Sequence, residues 1–367
     1  MVGDMEYLRN AWYVAMWAKD LGPDALETRT ICDEPVVLYR KANGQPAALA
    51  DQCSHRFVPL SMGTKCNDGD AIECTYHGLQ FDGSGACVKN PHGTGRIPRS
   101  LDIKSYDVVE KHTLVWLWMG EQEPDVTLIP DFSYLDEGAA GVVSRREWLM
   151  MEADYQLVAD NLLDLSHVQY LHRGTLANDG EIPEIEVTME EDGDTLTITR
   201  RRFSEPPGPM FNMMFRNDGQ PCDGISVMRW DAPSNLRHES AIFPPGESQA
   251  TGITVIGTHL LTPATKGRCY YHIAAVRIDG DGVTPADHDD AIADMLSKLR
   301  RIAFEDQDKP VLEAQQKAYD RAGGLENLRP VMLSIDSGPL RARRILARLV
   351  AAEQHVEIVD DLLEPIA

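Results

Sequence analysis

The sequence lacks any apolar run approaching the ~20 residues that a membrane-spanning helix needs. "LVWLWM", Leu114 to Met119, shows how short its hydrophobic stretches are. A membrane is therefore not expected as a partner. The chain is also poor in positive charge, with 35 Lys and Arg against 58 Asp and Glu and a formal net charge of −23. Such a chain repels phosphate backbones, and no cluster of basic residues is large enough to reverse that locally, which excludes nucleic acid as an expected ligand. The opening "MVGDMEYLRN" has neither a basic n-region nor an apolar h-region, so no secretory signal is read there and a cytoplasmic location is expected. Internal repeats, low-complexity tracts and a Gly-rich dinucleotide fingerprint joined to a βαβ unit are missing as well. Cysteine is scarce and odd in number. The seven, at 32, 53, 66, 74, 87, 222 and 269, read as buried thiols or metal ligands rather than as a disulfide framework.

What is present divides into two parts, as a length of 367 residues suggests. Over residues 1–125 short β-rich stretches such as "EPVVLYR" and "HTLVWLWMG" alternate with Gly, Asp and Asn turn signals, the pattern of a small all-β domain. The acidic, proline-containing "EQEPDVTLIPDFSYLDEG" holds the expected linker, taken as residues 126–138. The second domain, 139–367, opens with a helix-like stretch, "ADYQLVADNLLDLSHVQYLHRG", ending at Gly174. "EIEVTMEEDGDTLTITRRRF" then predicts a hairpin around Asp192 and Gly193. Residues 204–247 carry no assignable pattern. Ile292, Met295, Leu296, Leu299, Ile302 and Ala303 recur at helical spacing and predict a helix over 286–305, which Pro310 interrupts or restarts. The expected class is α+β.

Two matched Cys/His pairs stand in the first domain. Cys53-x-His55 is separated by eighteen residues from Cys74-x2-His77. A thiolate and an imidazole at each of two loop tips can hold tetrahedral zinc, although such sites usually pair Cys with Cys and His with His. They can equally hold a Rieske 2Fe-2S cluster, in which two cysteines bind one iron and two histidines the other.

In the second domain "DNLLDLSHVQYLHRG" places Asn161, Asp164 and His167 three apart, along one face of an ideal helix. His172 would be rotated by about 140° from His167 on such a helix, so both reach one metal only if the helix ends or bulges between them. A non-heme iron(II) site is completed by a carboxylate, and "AFEDQDKPVLEAQQ" offers Glu305, Asp306, Asp308 and Glu313. Chemistry alone does not choose among these four.

The flanks of these residues carry a resemblance. "CSHRFVPLSMG" followed by "CTYHGLQFDGSGACVKNP" resembles the cluster-binding signature of the Rieske non-heme iron aromatic oxygenases, oxygenase (alpha) component, and Asp-x2-His-x4-His resembles their iron-binding pattern. Thr75 and Leu79 depart from residues common in the family, and neither change removes a ligand. The likeness runs from "LRNAWYVAMWAKDL" to "LEAQQ" and is nearest the vanillate O-demethylase and dicamba monooxygenase branch. It implies a Rieske domain plus a catalytic domain with a curved antiparallel sheet and helices of the helix-grip type. It implies a 2Fe-2S cluster on Cys53, His55, Cys74 and His77, with Cys66 and Cys87 outside the ligand set, and a mononuclear Fe(II) on His167, His172 and Asp308, with Asp306 as the alternative. In the family the cluster serves the iron of the neighbouring chain of a homotrimer. Asp164 resembles the aspartate linking His167 to His77 across that interface, and Asn161 a polar residue near the iron.

The function so implied is that of a terminal oxygenase inserting one oxygen atom into an aromatic substrate. Hydroxylation of a methoxy carbon would give a hemiacetal that collapses to phenol and formaldehyde. Electrons would come from NAD(P)H through a separate reductase, with or without a ferredoxin, and O2 is the co-substrate. Ring hydroxylation or dihydroxylation, N-demethylation, an electron carrier with a ligand-binding second domain, and a zinc-stabilised binding module are the rival readings. Substrate contacts are sought among Met210, Phe211, Met213 and Met214, and among Trp230, His238, His259 and His272, residue types that more often build core.

Overall fold

The computed structural model describes residues 7–178, 185–280, 289–324, 327–328 and 330–354. They form two compact units: one runs from Arg9 to Asp131 and takes in Thr262–Lys266, and the other takes Phe132–Leu261 and the chain from Gly267 onward.

The first unit is built from eleven short strands. β1 (Trp12–Trp17), β2 (Glu27–Ile31), β3 (Glu34–Arg40), β4 (Pro46–Ala50), β5 (Thr64–Cys66) and β6 (Ala71–Glu73) are followed by β7 (Gln80–Asp82), β8 (Cys87–Lys89), β9 (Ser105–Tyr106), β10 (Val108–Lys111) and β11 (Leu114–Trp118). They make three antiparallel sheets, ordered β1-β11-β10, β2-β3-β4-β9 and β5-β6-β7-β8. The fully apolar β1 and β11 are buried along their whole length, as strands covered on both faces must be. Tyr39, Leu49, Leu60, Ile72, Leu79 and Phe81 pack in one cluster with Cys53 and Cys74. The turn between β7 and β8 needs Gly85: its φ is +84°, and a Cβ there would stand 2.2 Å from the Ile103 carbonyl oxygen.

The second unit centres on an antiparallel eight-stranded sheet. Its strands are β12 (Val142–Val143), β13 (Glu147–Met151), β14 (Glu186–Asp192), β15 (Thr195–Glu205), β16 (Cys222–Asp231), β17 (Asn235–Phe243), β18 (Ile253–Thr265) and β19 (Arg268–Asp279). The order is β12-β19-β18-β17-β16-β15-β14, with β13 also on β19. The expected hairpin is β14–β15, turning at Gly193 with φ +60°. The stretch that carried no pattern becomes β16, β17 and a short helix.

The helices are α1 (Tyr155–Leu163), α2 (Val168–Leu171), α3 (Pro209–Met214), α4 (Asp289–Arg301), α5 (Lys309–Ala322) and α6 (Ser337–Gln354). None among the described residues is long and apolar enough to cross a membrane. Two helical expectations are corrected. The stretch 153–174 is not one helix, because α1 stops at Leu163 and Asp164 takes an extended conformation (φ −103°, ψ 91°) before a 3-10 turn over Leu165–His167 and the single turn of α2. Asn161, Asp164 and His167 therefore do not share a helical face. The helix over 286–305 ends instead at Arg301, passes into a π-helix over Ile302–Asp308 and restarts as α5 with Pro310 in its first turn; residues 286–288 lie outside the described residues. A proline in the first turn needs no backbone donor. Lys309 N–H reaches back five residues to the Phe304 carbonyl.

Candidate metal centres

The two Cys/His loops are the same backbone structure built twice. Cys53 N–H donates to the Val58 carbonyl (2.9 Å) and receives Phe57 N–H on its own carbonyl (2.9 Å), while Cys74 N–H donates to Leu79 (2.8 Å) and receives Gly78 N–H (3.0 Å). The residue four beyond each cysteine is left-handed, Phe57 at φ +60° and Gly78 at φ +70°. Glycine takes that conformation freely, whereas phenylalanine holds it at a cost, a form of strain that collects at functional loops. The matched frames compensate for unequal spacing and bring the His55 and His77 rings to 4.5 Å between centroids. Both cysteines are buried at 3% and 2% exposure, His55 is exposed and His77 half-buried. Burial pushes the Cys53 thiol up, backbone N–H groups of His55 and Arg56 favour its thiolate, and Cys74 beside it opposes a second charge. Two adjacent thiols below and two imidazoles at the rim suit a cluster with one sulfur-bound and one nitrogen-bound iron. Cys66 and Cys87 stand in β5 and β8, outside both loops.

The second centre depends on the break after α1. The Asp164 carboxylate accepts Ser166 N–H (2.9 Å) and caps the turn, and the Asp164 carbonyl, not its side chain, meets His167 Nδ1 at 2.5 Å. His172 ends α2 and its Nδ1 meets Gln307 Oε1 at 2.8 Å. With each Nδ1 committed to an acceptor, both Nε2 atoms carry the lone pair a metal needs. Asp308 Oδ1 lies 3.6 Å from His167 Nε2 and 3.3 Å from His172 Nε2, and the three candidate ligand atoms lie within 4.8 Å of one another. The other oxygen, Asp308 Oδ2, is buried with no hydrogen-bond partner among the described residues. A buried carboxylate with one oxygen against two imidazole nitrogens and the other unpartnered fits a cation site.

The electrostatics fit the same picture. Burial lowers the His167 pKa despite the pull of Asp308. At His172 burial acts the same way, but Asp308 and Gln307 outweigh it and the pKa rises. Asn161 Nδ2 lies 3.4 Å from Asp308 Oδ1 and 3.5 Å from His167 Nε2. Of the acidic alternatives, Glu305 and Asp306 are exposed, and Glu313 accepts Glu152 N–H at 3.2 Å instead. The π-helix matters here: it lets the adjacent Gln307 and Asp308 both face the histidines, a common use of such segments at functional sites.

A cavity of about 230 Å³ opens beside Asn161, His167, His172 and Asp308. Its walls include Met210, Phe211, Ile242, Val255, Leu299 and Phe304. His238 and His259 also line it; Ser226 and Ser240 hydroxyls both meet His238 Nε2, at 2.7 and 2.9 Å, and His259 Nδ1 meets Tyr271 Oη at 2.6 Å. Burial, then Arg200, lowers the His238 pKa to about 4, so it is neutral near pH 7. Four expected contacts lie elsewhere. His272 does not line the cavity: it follows Tyr271, whose hydroxyl meets cavity-lining His259, and so points to the opposite face of β19. Trp230 shares the cavity-side parity of β16 but lies one row further along, in register with Leu196 and Leu236, and is buried. Met213 is 46% exposed on α3, and Met214 packs into a neighbouring core cluster. Ser226, Ser240, Arg200 and Gln307 were not anticipated; the inward parity of Arg200 in "TITRRRF" was the one legible signal.

Residues 11–107 match the Rieske [2Fe-2S] domain family, and residues 151–352 match the family described as vanillate O-demethylase oxygenase C-terminal domain. The chain is similar to the oxygenase component of dicamba O-demethylase from Stenotrophomonas maltophilia, 36% identical over 95% of this chain and 99% of that one. It is also similar to the oxygenase component of chloroacetanilide N-alkylformylase from Rhizorhabdus wittichii, 32% identical over 96% and 98%. A crystal structure of dicamba monooxygenase bound to 3,6-dichlorosalicylic acid superposes with a TM-score of 0.86 at 34% identity, covering 95% of this chain and 99% of that one. With twin Cys/His loops in one unit, a His/His/Asp cluster in the other and both units matched, the chain belongs to the Rieske non-heme iron oxygenases, oxidoreductases carrying a 2Fe-2S cluster and a mononuclear iron, as an oxygenase component of the vanillate O-demethylase type.

Proposed function

We propose that this protein is the terminal oxygenase of a multicomponent system that O-demethylates a methoxylated aromatic compound. Residues 1–125 act as the electron-transfer domain, 126–138 as the linker and 139–367 as the catalytic domain. Cys53, His55, Cys74 and His77 hold the cluster, and His167, His172 and Asp308 hold the iron. The observation that carries the reading is the His/His/Asp cluster facing a mostly apolar cavity of about 230 Å³, a size suited to a one-ring ligand. An iron held by His167, His172 and Asp308 would supply O2 activation: with two electrons delivered through the cluster and two protons, one oxygen atom would enter a C–H bond and the other would leave as water. The chain's own residues orient and exclude. The Asp164 carbonyl and Gln307 fix the two imidazoles, and Met210, Phe211 and Phe304 keep water from the substrate. Insertion at a methoxy carbon yields a hemiacetal, which loses formaldehyde as its C–O bond breaks and the phenol oxygen takes the proton. Insertion at a carbon attached to nitrogen would dealkylate an amine or amide by the same route; the similarity to an N-alkylformylase supports this second reading.

The protein works as a homotrimer in the cytoplasm, accepting electrons from an NAD(P)H-dependent reductase directly or through a ferredoxin. Formaldehyde release from methoxylated aromatic acids with a surrogate reductase tests the reaction. Release from none of a broad panel, with O2 consumed in ring hydroxylation instead, would sink it. Metal analysis should give about three irons per chain, two in the cluster and one mononuclear; near-stoichiometric zinc with little iron would contradict the assignment. Gln307→Ala should free the His172 ring and weaken iron retention by roughly 10- to 100-fold, the range seen when the supporting partner of a metal-bound histidine is lost. Dialysis against a graded chelator, with the cluster spectrum as internal control, checks it.

A further inference from the structure

The cavity holds more positive charge than its neighbours account for. Arg200 and Arg202 stand two apart on β15, so both leave the same face of the sheet, and both line the cavity. In a chain of net charge −23, neither has an ion pair with a carboxylate among the described residues. Arg200 Nη2 donates to the Leu163 carbonyl at 3.2 Å, while Nη1 is buried with no acceptor among the described residues. Burial disfavours its charge, and the acidic group acting on it, Asp164, is already engaged with Ser166 N–H. Arg202 crosses Gly224, where a Cβ would stand 2.5 Å from its Nε, so glycine at that register position is what lets the guanidinium lie over the sheet. Ser226 and Ser240 lie in the same row as Arg200. Their hydroxyls converge on the single Nε2 of His238, which can satisfy only one of them fully and leaves the other free to serve a ligand oxygen.

We infer that this wall of the cavity is a subsite for an anionic oxygen group, a carboxylate or sulfonate on the aromatic ring, held by Arg200 Nη1 and the Ser226/Ser240 hydroxyls with Arg202 as a second cation. The inference rests on the O-demethylase reading for the ring and methoxy group, and it adds the feature that selects among such compounds. A guanidinium kept desolvated and unpaired is prepared for a planar acid group that forms two parallel hydrogen bonds, and it penalises a neutral amide of the same shape.

The test is calorimetric titration of the holoenzyme with 2-, 3- and 4-methoxybenzoate, the matching methoxybenzenesulfonates and the matching methoxybenzamides. At least one acid should bind about tenfold or more tightly than its amide, the usual scale of a charge-assisted hydrogen bond. The benzoate and sulfonate arms decide which acid the subsite prefers. In Arg200→Gln the acid-to-amide ratio should fall to near one, and Arg200→Lys should restore part of it. Bound iron and the cluster spectrum report whether each variant is intact; if Arg200→Gln fails to fold, Arg202→Gln must lower the ratio instead. Equal binding of acid and amide, binding of no acid, or a ratio unchanged in both glutamine variants overturns the subsite. Formaldehyde assays on the same probes keep the two readings apart: acid preference without formaldehyde refutes the O-demethylase reading alone, and formaldehyde without acid preference refutes the subsite alone.

Discussion

Asp308→Ala is expected to give a folded protein with an intact Rieske spectrum, about two irons per chain instead of three, and turnover at background. The residue is 2% exposed, and its Oδ1 lies within 3.6 Å of both histidine Nε2 atoms. Removing it takes away the only buried carboxylate of the cluster and leaves two neutral imidazoles, which hold iron(II) too weakly to survive purification. The loss should exceed the roughly 10- to 100-fold produced by losing a supporting partner such as Gln307. The cluster loops are formed by residues 53–58 and 74–79 with their own backbone hydrogen bonds, so their absorbance serves as the internal standard. Asp306→Ala is the control. Its side chain is exposed on the outer side of the π-helix, and the variant should keep three irons and full turnover. If Asp306→Ala loses the mononuclear iron and Asp308→Ala does not, the ligand assignment is wrong.

How far these centres could be read in advance follows from how local each is. The cluster loops were legible because each is a six-residue frame whose Cys and His are near neighbours in the chain. The paired histidines were legible as a conflict, since on a straight helix His167 and His172 point apart. The resolution comes earlier than Gly174 suggested, at Asp164, where an acidic side chain caps a new turn rather than continuing the old helix. The π-helix was invisible, because one seven-residue segment with a wider turn leaves no distinguishable period between α4 and α5. Pro310 marked the place without its meaning. Cavity residues were the least legible. Parity along β19 decides whether His272 or Ile273 faces the substrate, and the row along β16 decides between Trp230 and Met228, which share one face. Both are set by a register that no local pattern encodes.

Asp164→Asn should slow reoxidation of the reduced cluster, in the presence of substrate and O2, by one to two orders of magnitude while leaving both iron centres in place. The structure makes the substitution unusually clean. The side chain's local task is to accept Ser166 N–H at 2.9 Å, and an asparagine amide oxygen caps as well as a carboxylate. The contact to His167 Nδ1 comes from the backbone carbonyl, which the substitution does not touch. The turn, the imidazole orientation and iron retention should all survive. What disappears is a negative charge beside the break that presents His167. In the trimer proposed above, the family resemblance implies that this charge would also accept a hydrogen bond from His77 of the neighbouring copy. Losing a hydrogen bond to a charged group removes ~1.5–3 kcal/mol, which corresponds to roughly a ten- to hundredfold change in rate if it falls on the electron-transfer step. Stopped-flow absorbance of the cluster measures that step directly, and size-exclusion chromatography with metal analysis shows whether the assembly and the iron are retained. Reoxidation at the wild-type rate would remove Asp164 from the electron route. Loss of the mononuclear iron would show that the carboxylate supports the metal site itself, a role its position as a cap does not predict.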